Sequence, residues 1–460
     1  MDVVIDDSRD SRRKSDTAEA RRNRGAGGPP GFAVSVRYRR YLLGLLAAVG
    51  VMGWIDRNVL AAVLESIKLD MGLSDTELGL LGGVAFGLFY AAVGLPVARF
   101  ADRGNRRNLI ALALGLWSVM TVLCGGAGSF SSLFLARVGV GVGEAGGSPP
   151  SQSLISDYFP PERRAFALGV YYLYIPLGFL AGYASGGWLD ELVGWRLAFV
   201  LVGLPGVLLA LVLRFTLREP PRAHADGSAE AEAAANQAAP PLHSSLKYLL
   251  SRPSLRHLPV AGALNGIGAF AASVWLPAYF IRVFGFSSAE AGTWVALAYG
   301  LGGGAGVLAG GYLADRIVRR SGDERWYAWG SAAMVAAIVP PSLLIYLTHS
   351  AGLAVAALLV ATFFGHSFLG PVTALVQGLA GVRRRAVAAA LYLFLVNLVS
   401  AGVGPLAVGL VSDLLGPRFG ADALRWALLV IVALVNVWSA AHFLCAAKTL
   451  RADFAQARLG

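Results

Sequence analysis

Two short stretches of sequence, far apart in the chain, determine the fold. Residues 98–107 read ARFADRGNRR, and residues 311–320 read GYLADRIVRR. Each contains an Asp–Arg pair followed, after two other residues, by two arginines. These residues are Asp102, Arg103, Arg106 and Arg107 in the first copy and Asp315, Arg316, Arg319 and Arg320 in the second. A motif repeated in this way indicates a chain built from two similar halves.

Apolar segments on both sides of each motif are long enough to cross a membrane. The chain has 460 residues, of which 56% are hydrophobic and 15% charged, whereas soluble domains are about 25% charged. A membrane-spanning helix needs about 20 apolar residues. Twelve such runs are present, at 41–65, 77–98, 108–128, 133–157, 165–189, 196–217, 257–282, 289–314, 326–348, 352–379, 386–413 and 424–447. The sequence therefore predicts an all-α membrane protein with twelve transmembrane helices in two six-helix bundles, related by a pseudo-two-fold axis.

The remaining segments divide the chain into five parts. Residues 1–40 form a basic tail that is predicted to be disordered, and 41–217 form the first bundle. Residues 218–256 are rich in Ala, Glu and Pro and are predicted to be a linker with an amphipathic piece. The second bundle covers 257–447, and residues 448–460 form a second tail.

The basic residues lie almost entirely on one side of the predicted topology. If the N-terminus is cytoplasmic, that side carries 32 Lys and Arg residues and the other side carries 5. The positive-inside rule then places both termini in the cytoplasm of a multi-pass protein. Topology explains the net charge of +11, so nucleic acid is not expected as a partner, whereas membrane lipids are.

The two repeated motifs are predicted to gate the halves. An Asp beside a helix end can accept hydrogen bonds from backbone amides, and the arginines can bind lipid phosphate or a neighbouring acid. Such a cluster can hold the two halves together on the cytoplasmic side and release them when the other side closes.

The repeated loop resembles the signature of the major facilitator superfamily. The sequences GWRLAF (194–199) and REP (218–220) agree with that family, and GYASGG (182–187) resembles its antiporter motif, with Tyr183 in place of proline. A narrower resemblance is to the spinster family. It rests on WIDRNVLAAVLESI (54–67) and RVGVGVGEAGGSPPSQSLISDYF (137–159). That family includes transporters of sphingosine phosphate and lysophospholipids and many bacterial relatives, so the resemblance implies a bacterial inner-membrane transporter.

Four ionisable residues lie deep inside predicted spans, where each costs at least about 2.5 kcal/mol unless it has a partner. They are Asp56, Arg57, Arg137 and Glu144. Arg137 and Glu144 are seven residues apart, about 10.5 Å along one helix face, so each is free to contact another helix. We predict that Asp56 and Glu144 exchange protons and that Arg57 and Arg137 bind an anionic substrate. The alternative is a buried ion-pair network that only fixes helix packing.

Weaker candidates are polar residues elsewhere in the spans. His366 and His442 are read first as packing residues and second as proton relays. Other cavity candidates are Asn265, Gln377, Asn397, Tyr171, Tyr172, Tyr174, Trp275 and Tyr279.

These features predict a secondary active transporter that works by alternating access with proton coupling. The favoured substrate is an amphipathic anion, such as a lysophospholipid or a sphingoid-phosphate-like lipid. The alternative is a proton-coupled transporter of small organic anions or drugs. A membrane-embedded lipid enzyme is disfavoured, because the sequence lacks a recognisable catalytic constellation and a phosphate-cradling motif. No cofactor or metal is expected, and the protein is expected to be a monomer.

Overall fold

The computed structural model describes residues 34–101, 104–220, 247–248 and 250–459. Residues 1–33 of the predicted disordered tail and most of the linker lie outside these residues, whereas residues 36–40 of that tail belong to the first helix. In the first half the helices are α1 (Val36–Ala62), α2 (Leu64–Met71), α3 (Asp75–Gly79), α4 (Ala85–Ala101), α5 (Arg106–Gly125), α6 (Phe130–Glu144), α7 (Ser148–Tyr158), α8 (Pro161–Tyr172) and α9 (Tyr174–Thr216). A π-helical segment, Leu80–Val84, joins α3 to α4.

The second half follows a similar order. Its helices are α10 (Pro253–Phe284), α11 (Ser288–Leu297), α12 (Gly304–Ser321), α13 (Arg325–Ala336), α14 (Val339–Leu347), α15 (Ala351–Ser367), α16 (Leu369–Phe419) and α17 (Ala423–Leu459). The π-helical segment Ala298–Gly303 joins α11 to α12, and the 3-10 turn Gly420–Asp422 precedes α17.

The described residues contain nine segments that are long and apolar enough to cross a membrane. Two of them are too long for a single crossing: Glu162–Thr216 has 55 residues and Val387–Gln456 has 70. At 1.5 Å per residue they extend about 80 and 105 Å, against about 30 Å of hydrocarbon, so each accommodates two crossings. The predicted span 133–157 is divided between α6 and α7, so neither piece reaches the length limit. Counting two crossings for each of the two long segments and one for the divided span brings the nine segments to twelve crossings.

Local sequence signals mark the turns. The second crossing of each half begins with a capping box, in which a serine and the glutamate three residues later bond each other's backbone amides. These pairs are Ser74 with Glu77 and Ser287 with Glu290. Within α9, Gly194 has φ 81° and ψ 158°, a combination that a residue with a side chain rarely adopts. The chain reverses there between two crossings.

The two halves pack together at one end. We call the end that carries Arg106 and Asp315 the motif end, and the end that carries Asp75, Asp190 and Asp413 the far end. Among the described residues, hydrogen bonds between the halves lie at the far end, except for one from the Tyr183 hydroxyl to the Ser273 carbonyl. The largest cluster of buried apolar residues also combines residues of both halves. The molecule is therefore closed at the far end.

Candidate substrate and proton site

Close helix packing positions the ionisable residues of the first half. On α9, an added Cβ at Gly178 would lie 2.3 Å from the Cβ of Trp54, and one at Gly186 would lie 2.8 Å from that of Ala62. Only glycine permits α1 to approach α9 so closely. The GYASGG sequence thus contributes to the surface on which α1 lies and helps to fix the direction in which Arg57 points.

The glycines before Glu144 allow α6 to pack closely against the residues that face it. An added Cβ at Gly141 would lie 2.7 Å from the Phe86 carbonyl, and one at Gly143 would lie 2.8 Å from Trp117. The helix then ends at Glu144, because α7 begins with Ser148-Pro149-Pro150 and proline has no amide hydrogen to continue the ladder. Glu144 is thereby held at a helix end inside the bundle.

Arg57 and Glu144 form an ion pair between α1 and α6. Nε and Nη2 of Arg57 lie 2.7 and 2.6 Å from the same carboxylate oxygen, Oε2 of Glu144. The other carboxylate oxygen, Oε1, has no hydrogen-bond partner among the described residues. Glu144 therefore contacts another helix and not Arg137 of its own, as the seven-residue spacing predicted.

Aromatic rings surround the Arg57 guanidinium. Its central carbon lies 4.5 Å from the ring centre of Phe86, 5.1 Å from Tyr90 and 5.2 Å from Trp54. The negative faces of these rings favour the cation. The sequence interpretation missed this cage, although Trp54 lies three residues before Arg57 and Phe86 four before Tyr90, which are the spacings of helix neighbours.

Asp56 and Arg137 form a second, deeper layer. Asp56 is 0% exposed, and neither of its carboxylate oxygens has a hydrogen-bond partner among the described residues. Nη1 of Arg137 donates to the backbone carbonyl of Asp56 at 3.4 Å, and its Nε has no partner in the same part of the chain. Buried polar atoms without partners are costly, so they mark this layer as a functional candidate.

A cavity of about 300 Å³ lies beside the Arg57–Glu144 pair. Its wall includes both residues of the pair, whereas Asp56 and Arg137 do not contribute to it in this state. The second half contributes Leu393 and Asn397. The remaining lining is mainly aromatic and polar: Trp54, Tyr90, Trp117, Ser148, Gln152, Tyr171, Tyr172, Tyr174 and Ile175 are among it.

A smaller cavity of about 60 Å³ lies within the second half. Its polar lining includes Asn265, Asn436, Thr362 and His366. Asn265 donates to Asn436 at 2.8 Å, and Nδ1 of His366 lies 2.9 Å from the Thr362 carbonyl. His442, the other histidine candidate, pairs instead with His257, with 3.0 Å between the two Nδ1 atoms.

The first copy of the repeated motif contains a buried arginine. Arg106 is 1% exposed, and its Nε donates to Glu219 at 2.8 Å. Its Nη1 donates to Asp157 and to Ser153. The backbone amide of Arg107 also donates to Glu219. Asp102 and Arg103 lie outside the described residues, so their predicted gating role stays a prediction.

The second copy is exposed. Asp315 accepts a hydrogen bond from the Tyr327 hydroxyl at 2.8 Å, and Arg319, which is 69% exposed, lies 3.9 Å from Asp315. Nη1 of Arg316 donates to the Tyr312 hydroxyl at 3.0 Å. Arg320 also belongs to the last turn of α12. The two motifs thus share a sequence but differ in burial.

Within the part of the chain that the structure describes, no group of His, Cys, Asp and Glu could hold a metal ion. The candidate site consists of the Arg57–Glu144 ion pair and the deeper layer of Asp56 and Arg137, beside an aromatic cavity.

Comparison with known proteins identifies the family. The Major Facilitator Superfamily profile matches residues 46–405, and the chain belongs to that superfamily of membrane transporters. An MFS-type efflux pump of Mycolicibacterium smegmatis is 35% identical over 411 residues, which cover 89% of this chain and 93% of the pump. Spinster homolog 1 of Xenopus tropicalis is 29% identical over 256 residues, covering 54% of this chain and 47% of that protein.

A solved structure of a bacterial spinster homolog, in an inward-facing and unoccupied conformation, superposes with a TM-score of 0.82. It is 30% identical, and the match covers 91% of this chain and 99% of that one. The all-helical major facilitator fold and the spinster resemblance are thus confirmed.

Proposed function

We propose that this chain is a proton-coupled secondary transporter that moves an amphipathic anion, such as a lysophospholipid or a sphingoid-phosphate-like lipid, by alternating access. The observation that carries the proposal is the Arg57–Glu144 pair on the cavity wall. A guanidinium binds phosphate or carboxylate through parallel hydrogen bonds, so an anionic head group competes with Glu144 for Arg57.

This competition couples the anion to a proton. A displaced Glu144 loses its cation, and protonation removes the charge that is left uncompensated. Conversely, protonation of Glu144 frees Arg57 for the anion. Binding of one therefore favours binding of the other, by the reciprocity of linked equilibria. Asp56 is the second proposed proton carrier, because its carboxylate lies in the layer behind the pair and has no hydrogen-bond partner among the described residues.

Arg137 remains a proposed anion-binding residue that acts in another conformation. In this state it donates to the Asp56 carbonyl and does not line the cavity. A rotation that exposes Arg137 after the head group has displaced Glu144 would add a second guanidinium to the site.

The cavity wall, which combines aromatic rings with a few polar and charged groups, favours an amphipathic substrate. Ligand pockets are mostly apolar with a few convergent polar groups, and this cavity has that composition. Small organic anions and drugs are the second candidate class, favoured by the similarity to an efflux pump. A membrane-embedded lipid enzyme remains disfavoured.

Orientation follows from the distribution of charge. With 32 basic residues on the side of the termini, we propose that the motif end and both termini face the cytoplasm of a bacterial inner membrane. The state closed at the far end is then inward-open. We also propose that the protein acts as a monomer and needs no cofactor.

The test measures binding and proton uptake in lipid nanodiscs. A lysophosphatidic acid and gluconate serve as probes of the two substrate classes, and a pH dye in weak buffer reports protons. We expect lysophosphatidate to bind with uptake of a proton, and Arg57→Ala to weaken binding at least about tenfold. Gln152→Ala, which alters the same cavity wall without touching the ion pair, is the control. Selective binding of gluconate would favour the second class, and binding without proton uptake would contradict the coupling.

A further inference from the structure

Two clusters of polar side chains join the halves at the far end. The first, which we call the ion-pair latch, consists of Glu65, Lys68, Asp75, Arg282 and Ser412. Nη1 and Nη2 of Arg282 donate to the two carboxylate oxygens of Asp75 at 2.8 and 2.9 Å, and its Nε donates to Glu65 at 2.6 Å. Lys68 pairs with Asp75, and the Ser412 hydroxyl donates to Asp75 at 2.6 Å.

The second cluster, which we call the hydroxyl latch, consists of Ser66, Asp190 and Ser288. The two serine hydroxyls donate to the same oxygen of Asp190, each at 2.6 Å. Asp190 has no cation partner among the described residues. The carboxylate of this latch is therefore held by neutral donors.

The two latches occupy equivalent places in the two halves. Asp75 and Ser288 are separated by the same number of residues as Asp102 and Asp315, the two aspartates of the repeated motif. Asp190 directly follows the fifth predicted span, Ser412 lies near the end of the eleventh, and these two spans are also equivalent in a duplicated chain. The carboxylate and the hydroxyl have therefore exchanged places, because the first latch pairs Asp75 with Ser412 and the second pairs Ser288 with Asp190.

Backbone contacts show that the equivalence extends beyond these side chains. An added Cβ at Gly187 would lie 2.2 Å from the Ser288 carbonyl, and one at Gly409 would lie 2.2 Å from the Asp75 carbonyl. Each glycine precedes the latch residue of its own span by the same number of positions. The two halves therefore approach each other in the same way at both latches.

An acid caps the facing helix beside each of these glycines. Glu191 accepts a hydrogen bond from the amide of Ala289 at 3.1 Å. Asp413 accepts from the amides of Asp75 and Thr76 at 3.0 and 2.7 Å. The two latches thus match in their backbone and capping contacts and differ in the charge of the groups around the carboxylate.

We propose that the ion-pair latch sets the stability of the far-end closure, and that the hydroxyl latch is a weaker duplicate of it. The reason is the difference in charge between latches of matching backbone geometry. Replacing Asp75 deprives the largely buried Arg282 guanidinium of its two-pronged carboxylate partner, which costs more than the loss of hydrogen bonds from two neutral hydroxyls. Opening toward the far side therefore requires the rupture of the Asp75–Arg282 pair. This inference rests on the alternating access of the proposed function.

The experiment reads the conformation directly, without any transported substrate. Leu192 and Leu414 are exposed residues that occupy equivalent positions of opposite halves, and they suit spin labels after Cys124→Ala and Cys445→Ser. Double electron–electron resonance in nanodiscs then measures the ratio of long to short label distances. We expect Asp75→Asn to raise this ratio at least about tenfold, and the matched control Asp190→Asn to raise it less than about threefold.

A reciprocal exchange tests the equivalence of the latches. Asp75→Ser should open the far end, and adding Ser412→Asp should return the ratio to within about threefold of the parent, because Arg282 and Ser412 contact the same oxygen of Asp75. If Asp75→Asn does not fold, Arg282→Lys retains a charge but loses the two-pronged geometry, and it should open the far end.

Equal opening by Asp75→Asn and Asp190→Asn would contradict the proposal that the ion-pair latch is the stronger of the two. If the double variant Asp75→Ser, Ser412→Asp is as open as Asp75→Ser alone, the two latches are not equivalent. A short distance in every variant would contradict both the latch and alternating access. Normal opening without lysophosphatidate binding would contradict only the proposed substrate.

Discussion

The two halves of the molecule share a fold but differ in the chemistry of their interiors. In the first half, Arg57 and Glu144 form an ion pair on a cavity wall. Among the described residues, the cavity of the second half has no Asp, Glu, Lys or Arg in its lining, and its polar lining includes the Asn265–Asn436 pair, Thr362 and His366. The two halves thus share a scaffold but carry different polar groups, and the proposed transport mechanism depends on the charges of the first half.

The same inequality appears at the motif end. Arg106 of the first copy is buried between two acids, whereas its counterpart Arg319 is exposed. A shared spacing of residues therefore does not imply the same energetic role in both halves.

The largest expected effect concerns proton coupling. Glu144→Gln imitates the protonated acid, so the variant should fold and bind substrate. Its uptake in response to a pH step across proteoliposomes should fall at least about tenfold. Asp56→Asn should show a similar or milder defect, and the two should be non-additive if they share one network. His366→Gln is the matched control in the second half. If the double variant still responds to the pH step, and His366→Gln does not, the coupling lies in the second half.

The next effect compares the two motif arginines. Arg106→Ala removes a buried cation that contacts both Asp157 and Glu219, so the free energy of unfolding should fall by about 3–5 kcal/mol. Arg319→Ala should change it by no more than about 0.5 kcal/mol, because exposed ion pairs contribute little. Denaturant unfolding in detergent micelles measures both. Equal losses would show that the second copy is also structural.

A smaller effect is expected at the amide pair of the second half. Asn265→Leu leaves the side-chain oxygen of Asn436 without its donor, which should cost about 1–3 kcal/mol of unfolding free energy. Replacing both residues by leucine should recover most of this loss, because no buried polar group is left without its partner. A double variant that is less stable than the single one, or that abolishes substrate binding, would assign the pair to the binding site.

The smallest effect concerns Asp323, which lies between α12 and α13. Hydrogen bonds from Arg325, and a further one from Arg451, hold the pKa of this carboxyl below its usual value. Because the folded-state pKa is lowered, the contribution to stability is present above the unfolded pKa of about 4 and is lost as pH falls below it. Asp323→Asn should lower the Tm slightly at pH 7, and the difference should persist down to about pH 4 and shrink only as the pH falls below that value. A difference that grows on acidification would contradict this assignment.

Several features of the fold could be predicted from the sequence because they depend on local composition. Crossings are set by the length of apolar runs, and the repeated motif indicated the duplication. Boundaries were less certain: the predicted span 133–157 is divided at the residues before Pro149 and Pro150, where the helix ladder is interrupted. The four charged residues inside the spans could also be identified as candidates from the sequence. A charge in an apolar run is costly and therefore indicates that a partner is present.

The partners of those charges were decided by the tertiary structure. Which residue faces Glu144 depends on the rotation of α1, and that rotation depends on glycines that admit close packing against α9. The far-end latches were missed for the same reason. Lys68 and Arg282 are two of the 5 basic residues that the sequence interpretation counted on the side opposite the termini, and it assigned them no partner, although the structure brings both to Asp75. Apolar length is a property of one segment, whereas an ion pair between residues 207 positions apart exists only after both halves have packed.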